Sequence, residues 1–318
     1  MAQVTPTSIK PIGLKDPKGV LSLIQVLLKQ LGPKDLLVRI EAVSVNPVDY
    51  KKLQSVRAQT ISQDNPVVLG FDASGVVAKI GSDCKLFNVG DLVVYLGEYS
   101  KHGTNANYQI VDEILVGKKP KKLSHAKAAA IPLVSLTAYE GIVEEMRISP
   151  TEKQNNQNKT KCDRYSIYRL ESVDFCKKMG ADFVINHQIP LVEDLKKINI
   201  TSLDYIFNCV EMKPSYFEQF TSLIKPFGHI VGFDEPLNLQ GLFIKRAKLS
   251  IECIFTHSMF GEQPEKQNQI LNKISELYDK GIFISAVQTQ KQFSLKNLVD
   301  AHNLSKSEQK KTSCFGFF

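Results

Sequence analysis

No glycine occurs between residues 142 and 179. That absence excludes a glycine turn able to cradle a phosphate anywhere in the stretch. The six cysteines, Cys84, Cys162, Cys176, Cys209, Cys253 and Cys314, form no CxxC pair. Neither a secreted disulfide framework nor a four-cysteine metal lobe fits such spacing, and reduced thiols in a cytoplasmic protein are expected. The N-terminal MAQVTPTSIKPIG has no apolar core of the kind a signal peptide needs. The apolar stretch after it, residues 20–31, is broken by Ser22, Gln25, Lys29 and Gln30, too short and too polar to span a bilayer, so no membrane partner is expected. There is no repeat and no low-complexity tract.

The 318 residues are 43% hydrophobic and 23% charged, enough for two soluble domains with sizeable cores. The net charge of +7 favours anionic ligands. The basic clusters Lys118, Lys119, Lys121, Lys122 and Lys306, Lys310, Lys311 read as a solvated loop and a tail. No aromatic–basic platform accompanies them, which argues against nucleic acid as a partner.

Up to about residue 141 the chain reads as β-rich. DLLVRIEAVSVNPV alternates and stops at Asn-Pro. GVVAKIGSDCKLFNVGDLVVYLG reads as two strands about a Gly/Ser/Asp turn, then a third strand. SHAKAAAIPLVSLTAYEGIVEEM turns helical, with Ser124 as N-cap. A polar linker, SPTEKQNNQNKTKCD, spans residues 149–163. Beyond it helix and strand alternate: SVDFCKKMG is a helix with Gly180 just past its end, ADFVINH a strand, LVEDLKKIN a helix, LDYIFNCV a strand, YFEQFTSLIKPFG a helix and HIVGF a strand. Such alternation predicts βαβ units and a parallel sheet, hence an α/β fold.

Four segments, EAVSVNPVDYKK, VLGFDASGVVAKIG, FNVGDLVVYLG and IPLVSLTAYEGIVEE, together resemble the medium-chain dehydrogenase/reductase superfamily, in particular its quinone oxidoreductase branch and the zinc-type alcohol dehydrogenase-like proteins. The resemblance resumes at CKKMGADFVINH. It implies a GroES-like β-barrel catalytic domain over residues 1–148 and a Rossmann-type doubly wound domain over 164–295. Residues 296–318 would be a divergent C-terminal return segment. NADPH would lie between the domains, the substrate being a quinone or conjugated enone and a homodimer a possible assembly.

The same resemblance supplies site residues. In true alcohol dehydrogenases the first zinc ligand would fall in NPVDYKK, which here offers Asn46, Asp49 and Tyr50 but no Cys or His. Cys84 stands alone and His102 reads as a loop residue, so no zinc is expected. The carbonyl would then be polarised by hydrogen bonds, with Asn46 ordering water or ligand and Tyr50 donating to a reducible oxygen. Asp72, between Gly70 and Gly75, would organise the floor of the cleft, with an Asx-turn cap as the plainer alternative. Thr137 and Tyr139 of SLTAY would meet the nicotinamide, and Arg169, with Arg164 behind it, the 2′-phosphate.

Three departures stand against that pattern. A first strand, glycine turn, helix and most of a second strand would follow the polar linker, and here the chain passes directly to YRLESVDFCKKMGAD. A βαβ unit takes roughly 30 residues, so the phosphate loop reads as deleted. The C-terminal SKSEQKKTSCFGFF replaces a GKLVL-like strand, and LLKQL, residues 27–31, replaces a proline-rich connector. A non-catalytic relic of the family is the alternative these departures raise.

Overall fold

The computed structural model describes residues 8–15, 20–56, 61, 66–148, 165–168, 173–178, 180–186, 189–209, 212–232, 238–287, 289–306 and 313–316. It divides into two compact units, Met1–Leu136 with Ile254–Phe318, and Thr137–Cys253.

The first unit contains β1 (Ser8–Ile9), β2 (Ile12–Leu14), β3 (Ser22–Leu23), β4 (Val26–Leu27), β5 (Asp35–Val45), β6 (Val67–Val68), β7 (Asp72–Ile80), β8 (Leu92–Leu96), β9 (Tyr108–Asp112) and β10 (Val116–Lys118). Its seven-stranded sheet is built on β5, eleven residues long and rich in Val, Leu and Ile. One edge of β5 pairs with β7 along Leu36–Ser44. The other edge is shared, β9 taking Asp35–Arg39 and a late strand taking Ala42–Val45. Irregular register at Leu37/Val38 and Ile40/Ala42 marks bulges that bend the strand. Leu36, Val38, Ile40 and Val43 enter a core with Val77, Val93, Tyr95 and Val111.

Sequence alternation predicts a strand in CKLF, and the structure has none there. The backbone N–H groups of Lys85 and Leu86 donate instead to the buried Glu113 carboxylate, at 2.8–3.0 Å, so a side chain takes the donors a ladder would have used. Lys119 also differs from the solvated reading. It is buried, and its ammonium donates to the carbonyls of Pro120 and Leu123.

The second unit has two parallel ladders. β11 (Tyr165–Tyr168) pairs with β12 (Phe183–Asn186), while β13 (Leu203–Phe207), β14 (Ile224–Gly232) and β15 (Lys248–Ile251) pair in that order. Among the described residues no hydrogen-bonded strand joins the two ladders. The helices Leu191–Lys196, Pro214–Leu223 and Gln240–Lys245 bury Leu191, Leu195, Phe217, Phe220 and Leu242 against Ile185, Ile206 and Ile230, so both ladders contribute to one apolar core. The helix Val173–Lys178 ends as the sequence predicts, with Gly180 at φ 101° and its N–H returning to Lys177. The helix expected through Gly228 stops at Leu223 instead. Pro226 cannot extend it, and the Lys245 ammonium takes up the carbonyls of Thr221, Ser222 and Ile224, each at 2.8 Å.

The boundary between the halves also falls elsewhere than at residue 295. The helix Glu265–Asp279 lies in the first unit because its polar face completes the β8 and β10 edge. Gln267 donates to the carbonyls of Leu96 and Leu115, Ser275 to that of Lys118, and Asn272 accepts from the Lys118 N–H. The divergent C-terminus still returns to this unit: β17 (Ser313–Gly316) inserts between β5 and β16 (Thr289–Gln292). Backbone pairing needs no particular side chain, which explains how an unlike sequence fills the place. The helical run His125–Glu145 is long and apolar enough to cross a membrane. Half of it is buried in the fold, and a core helix meets the same criterion.

Candidate active site

The site grows from the point where β5 ends. Asn-Pro stops the strand and starts a helix, Pro47–Val56, with proline in its first turn. The Asn46 N–H donates to the Asp49 carboxylate at 2.7 Å, the reciprocal arm of a capping box. The Asn46 side chain points the other way and donates to Asp72 Oδ2 at 2.8 Å, where the Ser44 hydroxyl also donates, at 2.9 Å. Asp72 Oδ1 accepts from the Leu133 N–H at 2.8 Å, in the first turn of the helix Pro132–Tyr139. Asp72 therefore ties the ends of β5 and β7 to a helix N-terminus, where a negative charge is favoured. It is a long-range cap rather than an Asx turn.

Two glycines make room for this. Gly70 sits at φ 99°, and a Cβ there would meet Thr104 Oγ1 at 2.6 Å. A Cβ on Gly75 would meet the Arg39 carbonyl at 2.3 Å.

Asp49 and Asp72 are both fully buried carboxyls. Burial pushes Asp72 up to about 7, against the pull of bonds from Asn46, Leu133 and Ser44. Burial pushes Asp49 up to about 8; one backbone N–H opposes the shift and the neighbouring Asp72 adds to it. The donors decide how the pair shares its charge. Three donors converge on Asp72, whereas Asp49 Oδ1 is buried with no partner among the described residues. Asp49 is the member that holds a proton at neutral pH.

Tyr50 follows Asp49 on the same helix, half-buried, and its hydroxyl makes no hydrogen bond to the described residues. Asn46, Asp72 and the helix carrying Tyr50 thus come together in the first unit. Thr137 and Tyr139 are half-buried members of the second unit, and Arg169 and Arg164 lie outside the described residues. His102 occupies the loop between β8 and β9, its carbonyl accepting from Gln109.

Sequence reasoning passed over several neighbours. Asp49 was named in NPVDYKK but given no role, although its i+3 spacing to Asn46 carries the capping signal. The Ser74 hydroxyl meets His125 Nδ1 at 2.8 Å, and burial drives that histidine down to about 4, leaving it neutral. Phe71, Tyr99 and Phe255 pack with ring centroids 4.8–5.8 Å apart, and the Lys52 ammonium lies 3.6 Å above Tyr99. No local sequence signal links residues so far apart.

Both Asp72 oxygens are occupied by N–H and O–H donors. Among the described residues no group of three or more His, Cys, Asp and Glu side chains could hold a metal.

Comparison with known proteins places these features in a family. Residues 32–147 match the alcohol dehydrogenase GroES-like domain, and residues 179–311 match the zinc-binding dehydrogenase domain. A zinc-type alcohol dehydrogenase-like protein of Staphylococcus aureus (strain MSSA476) is 35% identical over 297 residues, covering 85% of this chain and 87% of its own. The chain belongs to the zinc-type alcohol dehydrogenase-like proteins of the medium-chain dehydrogenase/reductase superfamily. A crystal structure described as a zinc-dependent alcohol dehydrogenase protein, from Rhizobium etli CFN 42, matches with a TM-score of 0.87 at 29% identity, over 99% of each chain. A chloroplastic quinone-oxidoreductase homolog of Spinacia oleracea is 25% identical over 58% of this chain and 61% of its own. By family this medium-chain dehydrogenase/reductase is an oxidoreductase, with a GroES-like domain followed by a Rossmann-like one.

Proposed function

We propose that the first unit carries the substrate side of a zinc-independent, NADPH-type reductase for small quinones or conjugated enones, and that the chain as it stands does not hold the dinucleotide. The observation that carries this reading is the absence of glycine over residues 142–179, next to a parallel sheet divided between β12 and β13. A doubly wound nucleotide sheet places its first strand centrally, between the second and fourth, and its glycine turn presents backbone N–H groups to the diphosphate. Here β12 and β11 match the third and second positions and β13, β14 and β15 the later ones, with the central position lacking a strand among the described residues. The alignment with the Staphylococcus relative supports the same reading. It extends over 297 positions, more than 85% of a 318-residue chain can fill, so the relative carries residues with no counterpart here.

The residues present do not fit the dinucleotide, and no hydride step is assigned to this chain. Thr137, Tyr139 and Arg169 belong in this reading to a cofactor site that has lost its phosphate cradle. Asn46 and Asp72 keep the polar floor, and the Tyr50 hydroxyl remains the candidate donor to a substrate oxygen. A non-catalytic protein that retains the family shell is the second reading, favoured by the same divided sheet.

Titration with NADPH, followed by nicotinamide fluorescence and by enone-dependent oxidation, tests the proposal. Losing two charge-assisted bonds, each worth about 1.5–3 kcal/mol, weakens binding by about two to four powers of ten, so no saturation is expected at micromolar cofactor. Micromolar binding with turnover would overturn it. Elemental analysis finding one zinc per chain would overturn the metal-free part separately.

A further inference from the structure

Beside the Asp72 network the first unit holds a cation whose charge nothing balances. Lys52 lies in the helix Pro47–Val56, three residues past Asp49 and hence on a neighbouring part of the same helical face. It is half-buried, and its ammonium sits 3.6 Å from the centre of the Tyr99 ring while donating to the Tyr99 carbonyl at 2.7 Å. Tyr99, in the loop after β8, stacks on Phe71 with centroids 5.8 Å apart, and Phe255 packs against both rings at 4.8 and 5.3 Å. The Gly97 N–H donates to the Phe71 carbonyl at 2.7 Å and pins this loop to the start of β7. Phe71 and Phe255 are buried, and Phe71 directly precedes Asp72. Lys52 and Tyr99 thus stand at the rim of the polar floor, one aromatic ring away from the residue that organises it.

An ammonium carries three donors and one positive charge. Here one donor meets a carbonyl, and the ring face attracts the charge without neutralising it. The acids closest to it in sequence are engaged elsewhere. Glu98 pairs with Lys101 at 2.6 Å, and Asp49 accepts from the Asn46 N–H and holds a proton. Among the described residues no carboxylate pairs with Lys52, and burial alone lowers its pKa, with no anion acting to raise it. A half-buried charge without a counter-ion is costly, and a ligand of opposite sign removes that cost. A single lysine offers one unit of charge and no planar fork, which matches a carboxylate better than a dianionic phosphate. The rings beside it suit an apolar body.

We propose that Lys52, held against Tyr99, is an anion subsite at the edge of the substrate floor and takes the carboxylate of a small unsaturated keto acid. The inference rests on the reductase reading for the quinone or enone part of that substrate, whereas the carboxylate contact needs no dinucleotide. The bound acid places its carboxylate on the Lys52 ammonium and its apolar body toward the aromatic group. A neutral molecule of the same shape leaves the charge of Lys52 unbalanced, so the subsite selects the acid.

Saturation-transfer NMR with benzoylpropionate and with its primary amide, on the chain as it stands and without NADPH, reads the subsite. Both probes keep the ketone and the ring, neither has an alkene for a thiol to attack, and the carboxylate is the only charge between them. The acid should bind about tenfold more tightly, the effect of one charge-assisted bond. Lys52→Met keeps the apolar stem and should bring the acid down to the amide, while Lys52→Arg should retain most of the preference. Lys52→Gln carries the same expectation as Lys52→Met if that variant fails to fold. Lys51→Met, at the exposed neighbour, should leave the preference intact. Equal binding of acid and amide by the wild type would overturn the subsite. So would equal losses in Lys52→Met and Lys51→Met, the mark of anions gathering on scattered lysines. The NADPH titration decides the reductase reading separately and leaves this comparison unaffected.

Discussion

Asp49 and Asp72 are chemically alike and bridged by the hydrogen bonds of a single residue, Asn46, yet their surroundings give them opposite tasks. Asp72 accepts three hydrogen bonds and acts as an anion, whereas Asp49 accepts one and keeps a proton. Conversion of each to asparagine should separate them. Asp49→Asn should change stability at pH 7 by less than about 1 kcal/mol, because an amide replaces a neutral acid of the same shape. Asp72→Asn turns an NH2 group toward donors and should cost about 2–3 kcal/mol. Urea unfolding of both variants is the check, and equal losses would show that the charge is not divided in this way. His302 offers a second test. It is buried with both ring nitrogens unpartnered among the described residues, and burial brings it down to about 4 from 6.5. A histidine depressed in the folded state stabilises above the unfolded value and loses that contribution as pH falls from 6.5 to about 4. The loss is on the order of 3 kcal/mol. The wild-type stability minus that of His302→Leu should therefore fall across that window.

At the scale of elements, side chains close backbone gaps that strands leave open. Glu113 is the clearest case, since residues 85 and 86 have no strand partner and take its carboxylate instead. Glu113→Ala should expose both N–H groups to rapid exchange and cost about 2–3 kcal/mol. Retained protection at Lys85 and Leu86 would count against the role assigned here. The helix Glu265–Asp279 does similar work from a distance of more than 150 residues in sequence, through Gln267 on Leu96 and Leu115. Its sequence shows an amphipathic helix but not its destination, which is why chain order groups it with the second half while its contacts lie in the first unit. Chain order favours neighbours, whereas the carbonyls at the end of β8 and just before β10 were the partners available.

For the whole molecule the divided parallel sheet is the dominant feature. β13 has β14 on one side and no strand on the other among the described residues, and such edges invite association with other chains. Insertion of a family-type strand, glycine turn, helix and strand between Thr160 and Tyr168 should restore NADPH binding and reduce light scattering on concentration. An inserted chain that scatters as much as the original would show that the free edge is not the cause.

The sequence by itself determined much of this. Alternation in DLLVRIEAVSV specified β5, Asn-Pro its end, Ser124 a helix start, and the βαβ rhythm after residue 172 a parallel α/β unit. These are local signals, carried by spacing and by residues with few backbone options. It also brought Asn46 and Asp72 forward as site residues, through motifs rather than contacts. Tertiary structure decided what those residues touch. The Leu133 N–H on Asp72, the orphaned oxygen of Asp49 and the aromatic group around Phe71 all join positions far apart in the chain or depend on burial. Sequence spacing says which face a residue occupies but not which distant group the fold brings to it, and the protonation of a buried acid depends on that distant group and on the water excluded with it.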